Sequence, residues 1–180
     1  MADTQVAIIT GGSSGIGRAA AIGFAKAGYR VAVCGRRAEA LAEVAQQTGA
    51  LALPCDVTDA DEVATFFAAV AAAYGRIDVV FNNAGRSAPA VNFGDVDVAK
   101  WRYNDDTNLN GAFYVASESF RAMRDQTPQG GRIINNGSIS PAVPRPGASP
   151  YTATKHAITG LTKAISLDGR AFSIACGQID

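Results

Sequence analysis

A chain of 180 residues, 48% hydrophobic and carrying 19 glycines, has the length and apolar content of one soluble α/β domain. A formal net charge of +0 and a pI near 6.6 exclude the strongly basic face that nucleic acid demands. Cys34, Cys55 and Cys176 are too few and too scattered for a disulfide framework, the single His156 adds no zinc-site spacing, and no run approaches the ~20 apolar residues of a membrane span.

The first apolar run, residues 6–9, reads as a buried strand. It meets Gly11-Gly12-Ser13-Ser14-Gly15-Ile16-Gly17, after which a helical pattern runs from Arg18 to a stop at Gly28. A strand, a glycine turn and a helix start make an anion site: backbone N–H groups point outward, the helix dipole adds positive potential, and glycine lets the backbone approach a pyrophosphate. Residues 30–34 form a second strand and 37–47 a second helix. In a dinucleotide fold the end of that strand meets the adenosine ribose, where a carboxylate would bind the 2′-hydroxyl. Here stand Gly35, Arg36 and Arg37, two guanidinium groups suited to a 2′-phosphate, which favours NADP with NAD as the alternative.

Residues 50–54 read as a third strand, 59–74 as a third helix with Asp59 near its start, and 77–81 as a fourth strand. Residues 86–100 read as irregular, 105–123 as a long helix, 132–136 as a fifth strand and 141–150 as a proline-rich loop. A helix follows to about Leu167, with Ser149 suited to its N-cap and Pro150 to its first position; residues 172–175 form a sixth strand. Alternation of this kind predicts an α/β fold, a doubly wound parallel sheet with helices on both faces, binding its ligand at the carboxyl ends of the strands. Tyr151 and Lys155, four apart, share one face of the last helix, and His156 should point away from them.

These segments together resemble the short-chain dehydrogenase/reductase family over nearly the whole chain. Thr10 to Gly17, with Gly11, Ser13, Ser14, Gly15, Ile16 and Gly17, resembles its cofactor turn. Cys55-Asp56-Val57-Thr58 resembles its adenine-side segment, Asn82-Asn83-Ala84-Gly85 the segment after its fourth strand, and Asn108-Leu109-x-Gly111 the stretch with its helix asparagine. Ser138 falls where the family has its serine, and Tyr151-Thr152-Ala153-Thr154-Lys155 resembles its active-site signature. The resemblance implies a Rossmann-like domain over residues 1–180 that transfers hydride between NAD(P) and a ketone or secondary alcohol. Tyr151 would be the acid/base. Lys155 would favour its phenolate and hold the nicotinamide ribose, Ser138 would hold the substrate oxygen, and Asn108 would position a relay water. Asp56, Val57, Asn83, Ala84 and Gly85 join the glycine turn and Arg36 and Arg37 on the cofactor.

A tyrosine of pKa about 10 needs such a cation to work near neutrality. A cofactor-binding scaffold without turnover is the alternative from another class. The resemblance further implies a homodimer or homotetramer through the helices containing Phe113 and Ala157. With no basic start and apolar core at the N-terminus, no signal peptide is expected, and the cytoplasm is the expected location. Two departures stand out. Cys176-Gly177 replaces the family's Pro-Gly, and the chain stops at Asp180, where relatives continue into a substrate lid and a last strand. The expectation is a truncated form of a longer product.

Overall fold

The computed structural model describes residues 4–87 and 89–180. Six strands, β1 (Val6–Thr10), β2 (Arg30–Gly35), β3 (Leu51–Pro54), β4 (Val79–Asn82), β5 (Gly131–Asn136) and β6 (Ile174–Ile179), form one sheet in the order β3-β2-β1-β4-β5-β6. All five pairings are parallel. Helices α1 (Gly15–Lys26), α2 (Ala38–Thr48), α3 (Ala60–Tyr74), α4 (Val98–Asp105), α5 (Gly111–Asp125) and α6 (Ser149–Asp168) connect them.

The central strand shows why a continuous apolar run was needed. All five residues of β1 are buried, and alternate side chains go to opposite faces. Val6 and Ile8 join Phe66, Phe67, Val115, Met123 and Ile133 in one core. Ala7 and Ile9 join Val33, Leu41 and Val44 in the other. The chain winds outward from β1 to β3, then returns to pair β4 with β1, Ile8 in register with Val80. At that reversal the carboxyl ends of two neighbouring strands lead their loops apart, which opens a crevice.

Several boundaries differ from expectation. Helix α4 begins at Val98, within the stretch read as irregular, because the Asp97 carboxylate accepts from the Ala99 N–H at 2.7 Å and caps it. It joins α5 through a π-helical turn, Asp106–Asn110, so the long helix starts earlier than its apolar spacing indicated. Strand β6 starts at Ile174 and runs through Gly177 to Ile179, paired with β5 as far as Asn136. Phe172 instead lies in a 3₁₀ turn, packed edge-on against Phe120 at 5.8 Å. Ala148, rather than Ser149, holds the N-cap of α6, which puts Pro150 and Tyr151 in the first turn. Asp59 caps α3 as expected, accepting from Asp61 N at 2.9 Å and Glu62 N at 3.1 Å. Among the described residues no helix is long and apolar enough to cross a membrane.

Candidate active site

The glycine turn leads from the carboxyl end of β1 into α1. Ser14 occupies the N-cap of α1 without capping it; its hydroxyl instead accepts from Arg37 Nη2 at 2.6 Å. The first N–H groups of the helix therefore keep their capacity for an anion. Gly17 is fixed by packing: a Cβ there would sit 2.6 Å from Asn83 Nδ2 and closer still to the Gly11 carbonyl. The turn is thus pressed onto the end of β4. Asn83 completes that joint, its backbone N–H donating to Thr10 Oγ1 at 3.0 Å and its amide to the Thr10 carbonyl at 2.9 Å. Asn136 Nδ2 donates to Asn83 Oδ1 at 3.0 Å, extending the tie to β5.

Above this joint lies a cleft of about 570 Å³. Gly11, Ser13, Ser14 and Ile16 line it at the turn, Arg36, Arg37, Asp56 and Val57 at the ends of β2 and β3, Asn83, Ala84 and Gly85 after β4, and Tyr151 and Lys155 on α6. Gly15, with a φ of +54°, and Gly17 belong to the turn without lining the cleft, and Asn108 and Ser138 stand outside the lining among the described residues. Sequence reasoning missed Arg86, Ser87, Thr107 and Asn136, which also line it. Arg86 and Ser87 directly follow the Asn-Asn-Ala-Gly segment, and Thr107 directly precedes Asn108, so adjacency to those motifs was the available signal.

At the α6 end, Lys155 is 5% exposed and Nζ donates to the Asn136 carbonyl at 2.6 Å. Nζ lies 5.8 Å from the centroid of the Tyr151 ring. Burial pushes the ammonium's pKa below the ordinary lysine value, partly opposed by the charge of Asp180. Asn108, 2% exposed, sits within the π turn, a distortion that recurs at functional sites. Its Nδ2 donates to the Arg86 carbonyl at 2.9 Å and its Oδ1 accepts from Arg86 N at 2.8 Å, clamping the loop after β4. A Cβ on Gly85 would lie 3.3 Å from Asn108 Oδ1 and 3.9 Å from Lys155 Nζ, so the glycine leaves a gap between the two groups. Ser138 Oγ accepts from Ser140 N at 3.0 Å, and Ser138 N donates to Asp180 Oδ1 at 2.8 Å. His156 is exposed beside Val91, Phe93 and Arg145, away from the pair.

At the other end, Arg37 Nη2 reaches both Ser13 Oγ (3.1 Å) and Ser14 Oγ, while Arg36 Nη1 meets Asp56 Oδ2 only at 3.8 Å. Asp56 Oδ1 accepts from Thr58 N and Oγ1 at 3.0 and 2.9 Å. The sheet brings Cys34 and Cys55, scattered in sequence, into one core beneath this end. The Cys34 thiol is pushed well up, first by its hydrogen bond with Cys55 and then by burial. Among the described residues no His, Cys, Asp or Glu group is suited to hold a metal ion.

Residues 5–180 match the family model for short chain dehydrogenases. A 3beta-hydroxysteroid dehydrogenase of Mediterraneibacter gnavus is 36% identical over 98% of this chain and 65% of its own length. A gluconate 5-dehydrogenase of Gluconobacter oxydans is 39% identical over 90% of the chain and 64% of its own. The crystal structure of a 3-ketoacyl-(acyl-carrier-protein) reductase from Brucella melitensis, complexed with NADH, superposes with a TM-score of 0.91 at 27% identity, over 97% of this chain and 74% of that one. The chain belongs to the short-chain dehydrogenase/reductase family. It spans just under two thirds of the length of these curated relatives.

Proposed function

We propose that the protein carrying this chain transfers hydride between a nicotinamide cofactor, NADP in preference to NAD, and a small ketone or secondary alcohol, with Tyr151 as the acid/base. The observation that carries this is the buried Lys155 ammonium, 5.8 Å from the Tyr151 ring on the wall of a cleft that starts at a glycine turn. The cleft suits such a cofactor: its volume falls in the range of ligand sites, the uncapped start of α1 suits a pyrophosphate, and Gly17 admits the close turn that brings the backbone near it. When bound, that cofactor supplies or accepts the hydride.

The side chains then do the rest. Tyr151 gives its proton to the substrate oxygen in reduction and takes it back in oxidation. The Lys155 ammonium stands beside it, 5.8 Å from the ring centroid, as the positive charge that accompanies the transfer. The Asn136 carbonyl holds Lys155 at that post by the 2.6 Å hydrogen bond. Lys155 is also the group for the nicotinamide ribose hydroxyls. The Ser138 hydroxyl already accepts from Ser140 N, which leaves its own proton to donate to the substrate oxygen. Asn108 Oδ1 and Lys155 Nζ flank the gap at Gly85, a place for a water that passes protons outward.

Gly35 puts no carboxylate at the adenosine ribose, and Arg36, mostly exposed and loosely paired, is the group for a 2′-phosphate. NAD in place of NADP is the second reading. It is favoured by the partners that Arg36 and Arg37 already have in Asp56, Ser13 and Ser14. Exposed Phe113 on α5 supports self-association through that helix, as a dimer or tetramer, and the cytoplasm is the proposed location. Titration of the full-length protein with NADPH and NADH, followed by turnover on a panel of ketones and alcohols at the absorbance of the reduced cofactor, tests the whole proposal. Binding without turnover on any of them would point to a scaffold instead.

A further inference from the structure

Arg86 lies outside every motif that identifies the site, yet its place is closely determined. Asn108 grips its backbone on both sides, accepting from the N–H at 2.8 Å and donating to the carbonyl at 2.9 Å. The same Asn108 Nδ2 reaches Asn104 Oδ1 and Thr154 Oγ1, each at 3.4 Å, which sets Arg86 at the Lys155 end of the cleft. The guanidinium carbon stands 3.3 Å from the centroid of the Tyr103 ring on α4, so stacking takes one face of the planar group. Its N–H groups lie in the plane and point out from the edge. Among the described residues the guanidinium has no ion pair, and its Nη1 is buried with no hydrogen-bond partner. A charged donor left without a partner is costly, and here the fold supplies no acceptor.

Arg86 and Ser87 line both the cleft and a second cavity of about 230 Å³, which is also bounded by Pro150, the residue directly before Tyr151. Pro89, Val91, Val96 and the Tyr103 ring give this cavity mostly apolar walls. Val91 N donates to the Gly147 carbonyl at 3.0 Å, tying the loop after β4 to the loop before α6. Asp97 and Lys100 also line the cavity and offset each other, which leaves Arg86 as its unbalanced cation. The Asp97 carboxylate accepts from Ala99 N at 2.7 Å, so the start of α4 already has its anion. A volume below the range of about 300–1,000 Å³ for drug-sized ligands suits the end of a short chain. The edge of one guanidinium matches the two oxygens of one carboxylate, whereas a phosphate dianion would call for more charge than this cavity holds.

We propose that the substrate is a small oxo or hydroxy acid, its reacting carbon at Tyr151 and its carboxylate paired with the edge of Arg86 where the cleft meets the second cavity. This rests on the hydride-transfer reading above and makes Arg86 a determinant of substrate rather than of cofactor. An arginine kept merely to pack on Tyr103 would matter equally for charged and neutral ketones.

The test uses the full-length protein with 3-oxobutanoate, 4-oxopentanoate and 5-oxohexanoate, which set the carboxylate at increasing distance from the ketone. Each is compared with its neutral isostere, in which an isopropyl group replaces the carboxylate. Binding is read by calorimetry on protein saturated with oxidised cofactor, where no ketone turns over and the start of α1 is already occupied. Turnover is read with the reduced cofactor. In the wild type at least one acid is expected to bind and turn over about tenfold better than its isostere, the effect of one charge-assisted hydrogen bond. Arg86→Gln should abolish that preference, and Arg86→Lys, which keeps the charge without the fork, should recover part of it. The assignment is overturned if the wild type prefers no acid, or if the preference survives in Arg86→Gln. Equal loss for acids and isosteres would reduce Arg86 to a packing group, and weaker NADPH binding in Arg86→Gln would assign it to the cofactor instead. Turnover of ketones with no preference for acids would leave the hydride-transfer reading standing and sink Arg86 alone. A binding preference removed by Arg86→Gln, with no turnover of any ketone, would sink that reading and keep Arg86 as a carboxylate site.

Discussion

Lys155 and Arg36 line the same cleft, yet they live under different physics. Lys155 is almost wholly buried, and its ammonium is tied at 2.6 Å to the carbonyl of Asn136. Around it Asn108, Asn136 and Asn83 form ties between strands and loops, so any displacement costs hydrogen bonds in several elements. Arg36 is mostly exposed and meets its nearest carboxylate at 3.8 Å. In the function proposed above, the α6 end would be the fixed frame for chemistry, where burial makes charge expensive and position matters. The arginine end is an exposed electrostatic surface where charge is cheap, and in the same proposal it would set selectivity between cofactors. The two ends should therefore respond differently to substitution, the first in rate and fold, the second in affinity for one cofactor over another.

The sharpest break in that comparison is Tyr151→Phe. The ring and its packing survive, and only the ionisable hydroxyl goes. Turnover should fall about 10²–10⁴-fold, the range for removing a general acid/base, with cofactor affinity kept. Steady-state rates combined with cofactor titration check it, and near wild-type turnover would show that another group carries the proton. Next in size is Arg36→Ala. NADPH binding should weaken by about 1.5–3 kcal/mol with NADH unaffected. Equal loss for both cofactors would mean that the arginine end is structural after all.

A third change sits on the joint between the two ends. Gly17→Ala places a methyl against Asn83 Nδ2 and the Gly11 carbonyl. Neither has room to yield, because Asn83 also holds Thr10 and accepts from Asn136. Destabilisation of about 1–3 kcal/mol, read as a lowered urea midpoint at constant slope, is the expected cost of overpacking there. An unchanged midpoint would show that the turn is looser than its contacts imply.

The sheet was legible because each strand carries its own apolar run and each helix its own spacing: β1 is simply residues 6–9 with Thr10 added. Tyr151, Lys155 and the glycine turn were legible because short motifs encode them. What escaped depended on local capping or on side chains meeting across elements. Asp97 starts α4 through one hydrogen bond that apolar periodicity does not register. The π turn that buries Asn108 leaves no mark in the spacing of apolar residues. Arg86 reads as a loop charge until Tyr103 and Asn108 are seen around it. Cys34 and Cys55 look unrelated until β2 and β3 lie side by side.

The smallest expected effect lies in the pH dependence of folding, and it isolates the burial of Lys155 from its chemistry. Burial lowers the ammonium's pKa in the folded protein below the ordinary lysine value of 10.5. Across the window between the folded value and 10.5, the unfolded chain holds more protons than the native one, so stability rises with pH there. Below the window both states carry the proton and this group contributes no slope. Lys155→Met keeps the length and packing of the side chain without the charge, so it should remove this rise. Urea midpoints measured for both proteins on the alkaline side, taken as the difference between them, cancel the titration of tyrosines and cysteines common to the pair. The wild type should gain on the variant as pH climbs toward 10.5. Parallel curves would mean that the native protein solvates the Lys155 ammonium as well as water does, through the Asn136 carbonyl and the charge of Asp180, and that the α6 end is less dry than its burial indicates.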